Sequence, residues 1–211
     1  MVTSVRAAVK NAVVDRIPGL LRRGPTTVKR VALTFDDGPD DLTGDYLELL
    51  DHLGIPGTFF VSGKRAAERP EMIREYVRRG HQVANHGYDH TRFTKLSRKD
   101  LLDQVERTDH IIGGQLTGRS WVRPPHGAIN TNTLVTLRAA GYLIALWSID
   151  TKDHVERDPE KVAERCRFVA PGDVLLFHEG KQSTLQALPL VVASLHGAGY
   201  ECVTMHDLFA R

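Results

Sequence analysis

Val31-Ala32-Leu33-Thr34-Phe35-Asp36-Asp37-Gly38-Pro39 is the stretch on which the reading of this chain turns. An unbroken apolar run enters a polar turn. Such a run, bounded by a turn signal, predicts a strand buried on both faces, as in parallel sheets. Asp-Gly-Pro by itself marks an ordinary turn. Two adjacent aspartates are less ordinary, because like charges repel unless a cation or an arginine stands near.

Outward from this stretch the same pattern recurs. Short apolar runs near 30–35, 56–61, 81–84, 119–123, 142–147, 173–177 and 200–204 predict strands. Between them lie helical patterns near 43–53, 70–79, 97–113, 131–140, 159–168 and 184–196. Gly80, Gly141 and Gly199 follow helical patterns, where a helix stops. Ser97 and Thr131 stand where N-caps belong. Alternation of this kind predicts an α/β fold with mainly parallel strands. Seven strands come close to a barrel but fall one short of eight. The chain's 211 residues are enough for one domain with a full core.

Residues 1–28 are set apart from the domain expected over residues 29–211. Val5, Ala8, Val9, Ala12, Val13, Ile17, Leu20 and Leu21 recur at helical spacing over residues 5–21, and the opposite face is basic. Arg23-Gly24-Pro25 then breaks the pattern. Such a helix either caps the domain or lies on an anionic membrane surface through residues 1–23, which would suit a lipid-linked substrate. Residues 1–30 hold Arg6, Lys10, Arg16, Arg22, Arg23, Lys29 and Arg30 against Asp15 alone, so the remainder is acidic within a net charge of +2. That balance gives no argument for nucleic-acid binding. There is no 18-residue apolar run and no secretory apolar core, and the two cysteines, Cys166 and Cys202, lie far apart. The expectation is a cytoplasmic protein, peripheral to a membrane if the basic helix serves as an adaptor.

Polar clusters fall at the ends of the expected strands, where sites gather in parallel α/β folds. Asp36-Asp37 ends the first. His86 ends the third, with His90 four residues on. Arg123-Pro124-Pro125-His126-Gly127 follows Trp121-Val122. Asp150 and Asp153 follow Trp147, and His178 follows Leu175-Leu176-Phe177. Singly each has a bland reading, for ten histidines make chance pairs common. Jointly they hold two histidines and a carboxylate, a ligand set for catalytic zinc. They also hold a second carboxylate as base, an arginine to orient it, and a further histidine able to protonate a leaving amine. This is the inventory for amide hydrolysis.

At these residues the sequence resembles the polysaccharide deacetylases of the NodB-homology type, carbohydrate esterase family four. Thr34-Phe35-Asp36-Asp37-Gly38-Pro39 is similar to the first family motif, and His86-Gly87-Tyr88-Asp89-His90 to the second. Arg123 to Gly127, Trp147 to His154, and Leu176-Phe177-His178 resemble the third, fourth and fifth, in family order. The resemblance implies a distorted (β/α)7 barrel and removal of N-acetyl groups from N-acetylhexosamine-containing glycans, whether chito-oligosaccharides, precursors or lipid-linked sugars. It implies a divalent metal, Zn2+ or Co2+, on Asp37, His86 and His90. Asp36 would be the general base, paired with Arg123, and His178 the general acid, oriented by Asp153. The backbone N–H of His126 would meet the oxyanion, and Leu176 would line the acetyl pocket. Pro125 and Asp150 fall in the same motifs as substrate-side residues. Two positions depart from the family. His126 stands where Tyr is usual, and His154 where Trp forms a pocket wall, which Trp147 would partly replace. These departures keep three rival readings in view: hydrolysis of another C–N bond in formamides or cyclic amides, an O-acetyl carbohydrate esterase, and a non-catalytic metal- or glycan-binding protein.

Overall fold

The sheet is built outward from strand β2 (Arg30–Asp36), whose seven residues are buried from Val31 on. The structure is a computed structural model describing residues 17–113 and 120–210. In chain order the other strands are β1 (Leu20–Leu21), β3 (Thr58–Val61), β4 (Gln82–Asn85), β5 (Trp121–Val122), β6 (Leu143–Ala145), β7 (Ile149–Asp150), β8 (Val174–His178) and β9 (Glu201–Cys202). The helices are α1 (Thr43–Leu53), α2 (Gly63–Glu68), α3 (Pro70–Arg78), α4 (Arg98–Ile112), α5 (Thr131–Ala139), α6 (Pro159–Glu164), α7 (Gln182–Gly197) and α8 (Met205–Phe209). Single 3₁₀ turns occupy Phe93–Lys95 and Pro125–Gly127.

The strands pair in the order β1-β6-β5-β4-β3-β2-β8-β7, with β9 also on β2, and every strand pairing is parallel. The sheet curls into a distorted (β/α)7 barrel left open between its two edges. Near that opening Arg23 pairs with Asp173, just before β8, through an antiparallel bridge and a 2.6 Å ion pair.

The period of two sends strand side chains alternately to either side of the sheet, and Leu20, Val122 and Ile144 join a third cluster with Leu101, Val105 and Leu137 of α4 and α5. Leu33, Phe35, Phe59, Leu175 and Phe177 face outward onto α1 and α7, where they meet Tyr46, Leu47, Leu50, Leu188 and Val192. The rings of Phe35 and Phe59 stack at 5.0 Å. Ala32, Phe60, Ala84, Ala145 and Val174 belong to the inner core, which α8 plugs with Met205 and Leu208. Three alanines on the inner face leave space for that plug and for the Arg123 side chain.

The seven strands expected from sequence are all present, although β5 and β9 are trimmed to two residues each. The sequence pattern missed β1 and β7, two residues each, and α2 and α8, six and five residues, because periodicity needs a longer window. The helix expected over residues 5–21 does not include Leu20 and Leu21, which pair with Ile144 and Ala145. Sheet hydrogen bonding overrides helical spacing there. The rest of that reading, through residue 16, lies outside the described residues. Ser97 caps α4 by accepting from the Asp100 N–H. The cap of α5 is Asn130 rather than Thr131, and it accepts from the Thr133 N–H. Gly80, Gly141 and Gly199 close helices at positive φ, as expected. No described helix is long and apolar enough to cross a membrane.

Candidate active site

Parallel register places the chemistry at one end of the barrel. Asp36, the last residue of β2, pairs in register with His178, the last of β8, and Thr34 with Leu176. Leu176 therefore shares a face with His178, two residues on, and stands buried below it. Asp37 and His90 follow strand ends with φ of 77° and 64°. Four described non-glycine residues have positive φ, and Asp37, His90 and His126 are three of them. Backbone held in this region signals a functional constraint rather than a plain turn.

Asp37, His86 and His90 offer ligand atoms that all lie within 4.8 Å of one another. Asp37 Oδ1 is 3.2 Å from His90 Nε2 and 3.6 Å from His86 Nε2. His86 Nδ1 sits 2.7 Å from the Arg123 carbonyl, so it carries the proton and leaves the Nε2 lone pair facing Asp37. Burial depresses the pKa of His90, with the neighbouring His86 second, which favours the neutral ring a metal needs. Burial opposes ionisation of Asp37, but His86, His90, His178 and Arg65 together outweigh it and lower its pKa. Two imidazole nitrogens and a carboxylate are a donor set that fits zinc and leaves an open position.

Asp36 lies beside this set, its Oδ2 3.6 Å from His86 Nε2. Its Oδ1 accepts a hydrogen bond of 2.7 Å from Arg123 Nη1. Arg123 is fully buried, its guanidinium 4.0 Å above the Phe60 ring. It also donates to Thr34 Oγ1 and to the Leu146 carbonyl. A buried arginine tied to Thr34 and Asp36 on β2 and to the residue after β6 holds Asp36 in one orientation.

His178 faces the cluster from β8. Its Nδ1 bonds Asp153 Oδ1 at 2.7 Å, and its backbone N–H donates to Asp153 Oδ2 at 2.7 Å. Thr184 donates to the same carboxylate. Burial acts to lower the His178 pKa, but the Asp153 hydrogen bond and the charges of Asp153, Asp36 and Asp37 outweigh it, and the net shift is upward. Asp153, His154 and His178 also form a group of potential ligands. Both Asp153 oxygens are already taken up by His178 and Thr184, so the geometry favours an acid dyad.

The flanking positions divide. Pro125 is buried, while His126 is exposed with φ of 61°, and its N–H has no hydrogen-bond partner among the described residues. The His126 ring lies 4.6 Å from that of His90. Trp147 packs on Gly127, where an added Cβ would come within 2.6 Å of the indole. With His126, Ile129 and Leu134 it lines a groove of about 480 Å³. His154 is exposed and stands 5.1 Å from the His178 ring, in a polar groove of about 630 Å³ with Gly180 and Lys181. Trp147 therefore belongs to a different wall and does not stand in for a Trp at 154. Asp150 turns onto Lys152, with an ion pair of 2.6 Å.

Sequence reading missed the supports. Gln104 on α4 accepts from the N–H groups of Tyr88 and Asp89, inside the His86–His90 loop. Asn85 accepts from the Gly87 N–H and donates to Asp109. The available signal was a polar residue, Gln104, on the buried face of an amphipathic helix.

The fold and this arrangement define a parallel α/β barrel with a three-residue donor set able to hold a metal beside a histidine–carboxylate dyad. The chain belongs to the polysaccharide deacetylase family, whose model matches residues 23–145. The family is metal-dependent, and the ligand set above fits that requirement. Over 189 residues the chain is 34% identical to the peptidoglycan-N-acetylglucosamine deacetylase PgdA of Listeria monocytogenes, covering 88% of this chain and 40% of that protein. It is 31% identical to a chitooligosaccharide deacetylase of Sinorhizobium fredii, covering 84% of this chain and 91% of that one. Among solved structures it superposes on the Bc1960 peptidoglycan N-acetylglucosamine deacetylase with a TM-score of 0.85 and 29% identity, covering 90% and 92% of the two chains. The chain thus spans about two-fifths of the length of the Listeria relative.

Proposed function

We propose that this protein hydrolyses the N-acetyl amide of an N-acetylglucosamine unit in a glycan, releasing acetate and leaving the free amine. The observation that carries this reading is the register pairing of Asp36, the last residue of β2 and the neighbour of Asp37, with His178, the last of β8, which brings a base and an acid beside one ligand set. The names of the Listeria and Sinorhizobium relatives support the substrate class.

Asp37, His86 and His90 would hold zinc. When bound, zinc supplies Lewis-acid polarisation and a water nucleophile near neutral pH. Asp36, oriented by Arg123, takes the proton from the attacking water. The unpartnered His126 N–H donates to the oxygen on which negative charge develops. His178, its Nδ1 held by Asp153, gives its Nε2 proton to the departing nitrogen. Leu176, buried on the same face as His178, lines the space for the acetyl methyl. On the same reading the glycan is short or carrier-linked and the enzyme works in the cytoplasm.

The test is acetate release from chito-oligosaccharides of increasing length by purified, metal-analysed protein. N-formyl and O-acetyl sugars are assayed alongside. Acetate from the amide, lost on chelation and restored by zinc, is the expected result. Preference for formyl or ester substrates, or no turnover with bound metal, would replace this reading with the corresponding rival.

A further inference from the structure

A buried acid stands directly behind His178. Glu179 is 2% exposed. Its Oε1 accepts from Thr43 Oγ1 at the start of α1, at 2.8 Å, and from the Tyr76 hydroxyl of α3, at 2.9 Å. Its N–H donates to the Asp36 carbonyl at 2.9 Å. Thr43 Oγ1 in turn accepts from the Asp40 N–H at 2.7 Å. One chain of hydrogen bonds thus joins the loop after β2 to the loop after β8. Burial pushes the Glu179 carboxyl up to about 8. An acid this costly to bury is poor material for a core that an apolar side chain would fill.

The two loops also interlock sterically. A Cβ on Gly38 would land on Oε2 of Glu179, and its three nearest atoms would all be carboxyl atoms of that residue. A Cβ on Gly180 would land on Oδ2 of Asp40. Each loop's glycine therefore admits the other loop's carboxylate. Across the same junction the Tyr46 hydroxyl lies 3.0 Å and 2.8 Å from the carbonyls of His178 and Lys181. The first loop carries Asp36 and Asp37; the second begins at His178.

We propose that Glu179 is a positioning residue. It locks the loop of Asp36 to Asp40 against the loop of His178 to Lys181, and so fixes the metal-binding carboxylate relative to the proton-donating imidazole. It acts through Gly38, Thr43 and the Asp36 backbone. Its kinetic consequence rests on the deacetylase reading, whereas its effect on the ligand set does not.

The experiment compares Gly38→Ala, Glu179→Ala, Glu179→Gln and the double variant G38A/E179A. Each is measured for kcat and KM of acetate release with zinc bound, and for zinc affinity by chelator competition. Gly38 does not lie at positive φ, and the three atoms nearest an alanine Cβ there all belong to the Glu179 carboxyl. G38A is expected to lower kcat by about a hundredfold with KM little changed, since small misplacements of reacting groups cost that much. Its zinc affinity should fall by about tenfold, the effect of disturbing a ligand's support. Adding E179A empties the space and should raise both values to the level of E179A alone, whose losses, with the lock gone but no clash, are the smaller ones. E179Q, which keeps the shape, should stand between wild type and E179A. The proposal is overturned if G38A retains wild-type kcat and zinc affinity, or if the double variant is no better than G38A. It also falls if E179A loses thermal stability while its kcat and zinc affinity stay unchanged. If the wild type releases no acetate, the deacetylase reading fails, and the zinc affinities of the four variants still decide the lock.

Discussion

The two halves of the site are held in place by different means. Asp37 and His90 stand on loops bent into the left-handed region, and the supports of the His86–His90 loop come from elsewhere: the Arg123 carbonyl, Gln104 and Asn85. His178 ends a regular strand, and a single carboxylate, Asp153, fixes both its ring and its backbone. The first half gathers two carboxylates, with Arg123 as the cation paired to Asp36, around two imidazoles. It has lone pairs and negative charge to give to a metal. The second half has its hydrogen bonds satisfied without one. On the proposed function, the difference separates the residues that would depend on a metal from the one that would supply a proton.

The sharpest way to break this comparison is to remove a ligand on one side and the acid on the other. His86→Ala should abolish stoichiometric zinc and lower kcat/KM by about a thousandfold or more, because metal polarisation supplies several kcal/mol of the barrier reduction. His178→Ala should slow turnover while zinc content stays at one per chain. Metal analysis of both proteins checks this, and zinc retained in His86→Ala would dissolve the distinction. Asp36→Asn lies between the halves. It should keep zinc and lose turnover by about 10²–10⁴-fold, the usual worth of a positioned base. Loss of zinc as well would move Asp36 into the ligand set.

What was legible in the sequence follows the same division. Asp36, Asp37, His86, Arg123, Asp153 and His178 could be read because each follows a strand signal, and parallel strands send such residues to one end. The buried supports could not. Gln104 and Glu179 reach the site from a helix face and a loop whose packing is set by tertiary contacts. The lock at Gly38 involves residues far apart in sequence. Leu20 and Leu21 fit a helical stripe equally well, and pairing with β6 decided against it. The direction of Trp147 was likewise beyond a one-dimensional pattern, since it depends on Gly127 having no side chain.

The acid half makes a prediction about pH. The folded His178 pKa is raised, so the ring holds its proton to higher pH than a free histidine. Activity that needs this proton is present below the folded value and is lost as pH rises through it. Asp153→Asn removes the carboxylate that opposes the burial effect, so the alkaline limb of kcat should move to lower pH, with about a tenfold loss at pH 8. The same linkage makes the Asp153–His178 contribution to stability fall as pH rises through the folded value. A limb unmoved by Asp153→Asn would assign the alkaline ionisation to another group.

The smallest effect is expected at the wall beside the acid. His154 is exposed, packs against His178 at 5.1 Å, and stands where the motif resemblance leads one to expect a larger indole. Burial lowers its pKa, followed by the charge of His178, so near neutral pH it is an uncharged, smaller wall. A smaller wall leaves more room beside the acyl carbon. His154→Trp should therefore leave zinc and the pH profile nearly unchanged while tightening the choice of acyl group. Discrimination between N-acetyl and N-propionyl sugars should rise by about tenfold, the usual worth of one methylene in a pocket. Measuring kcat/KM for both acyl groups on one glycan checks this. An unchanged ratio would mean that the acyl pocket is closed from the other side, where Trp147 packs over Gly127 and the groove beside His126 begins.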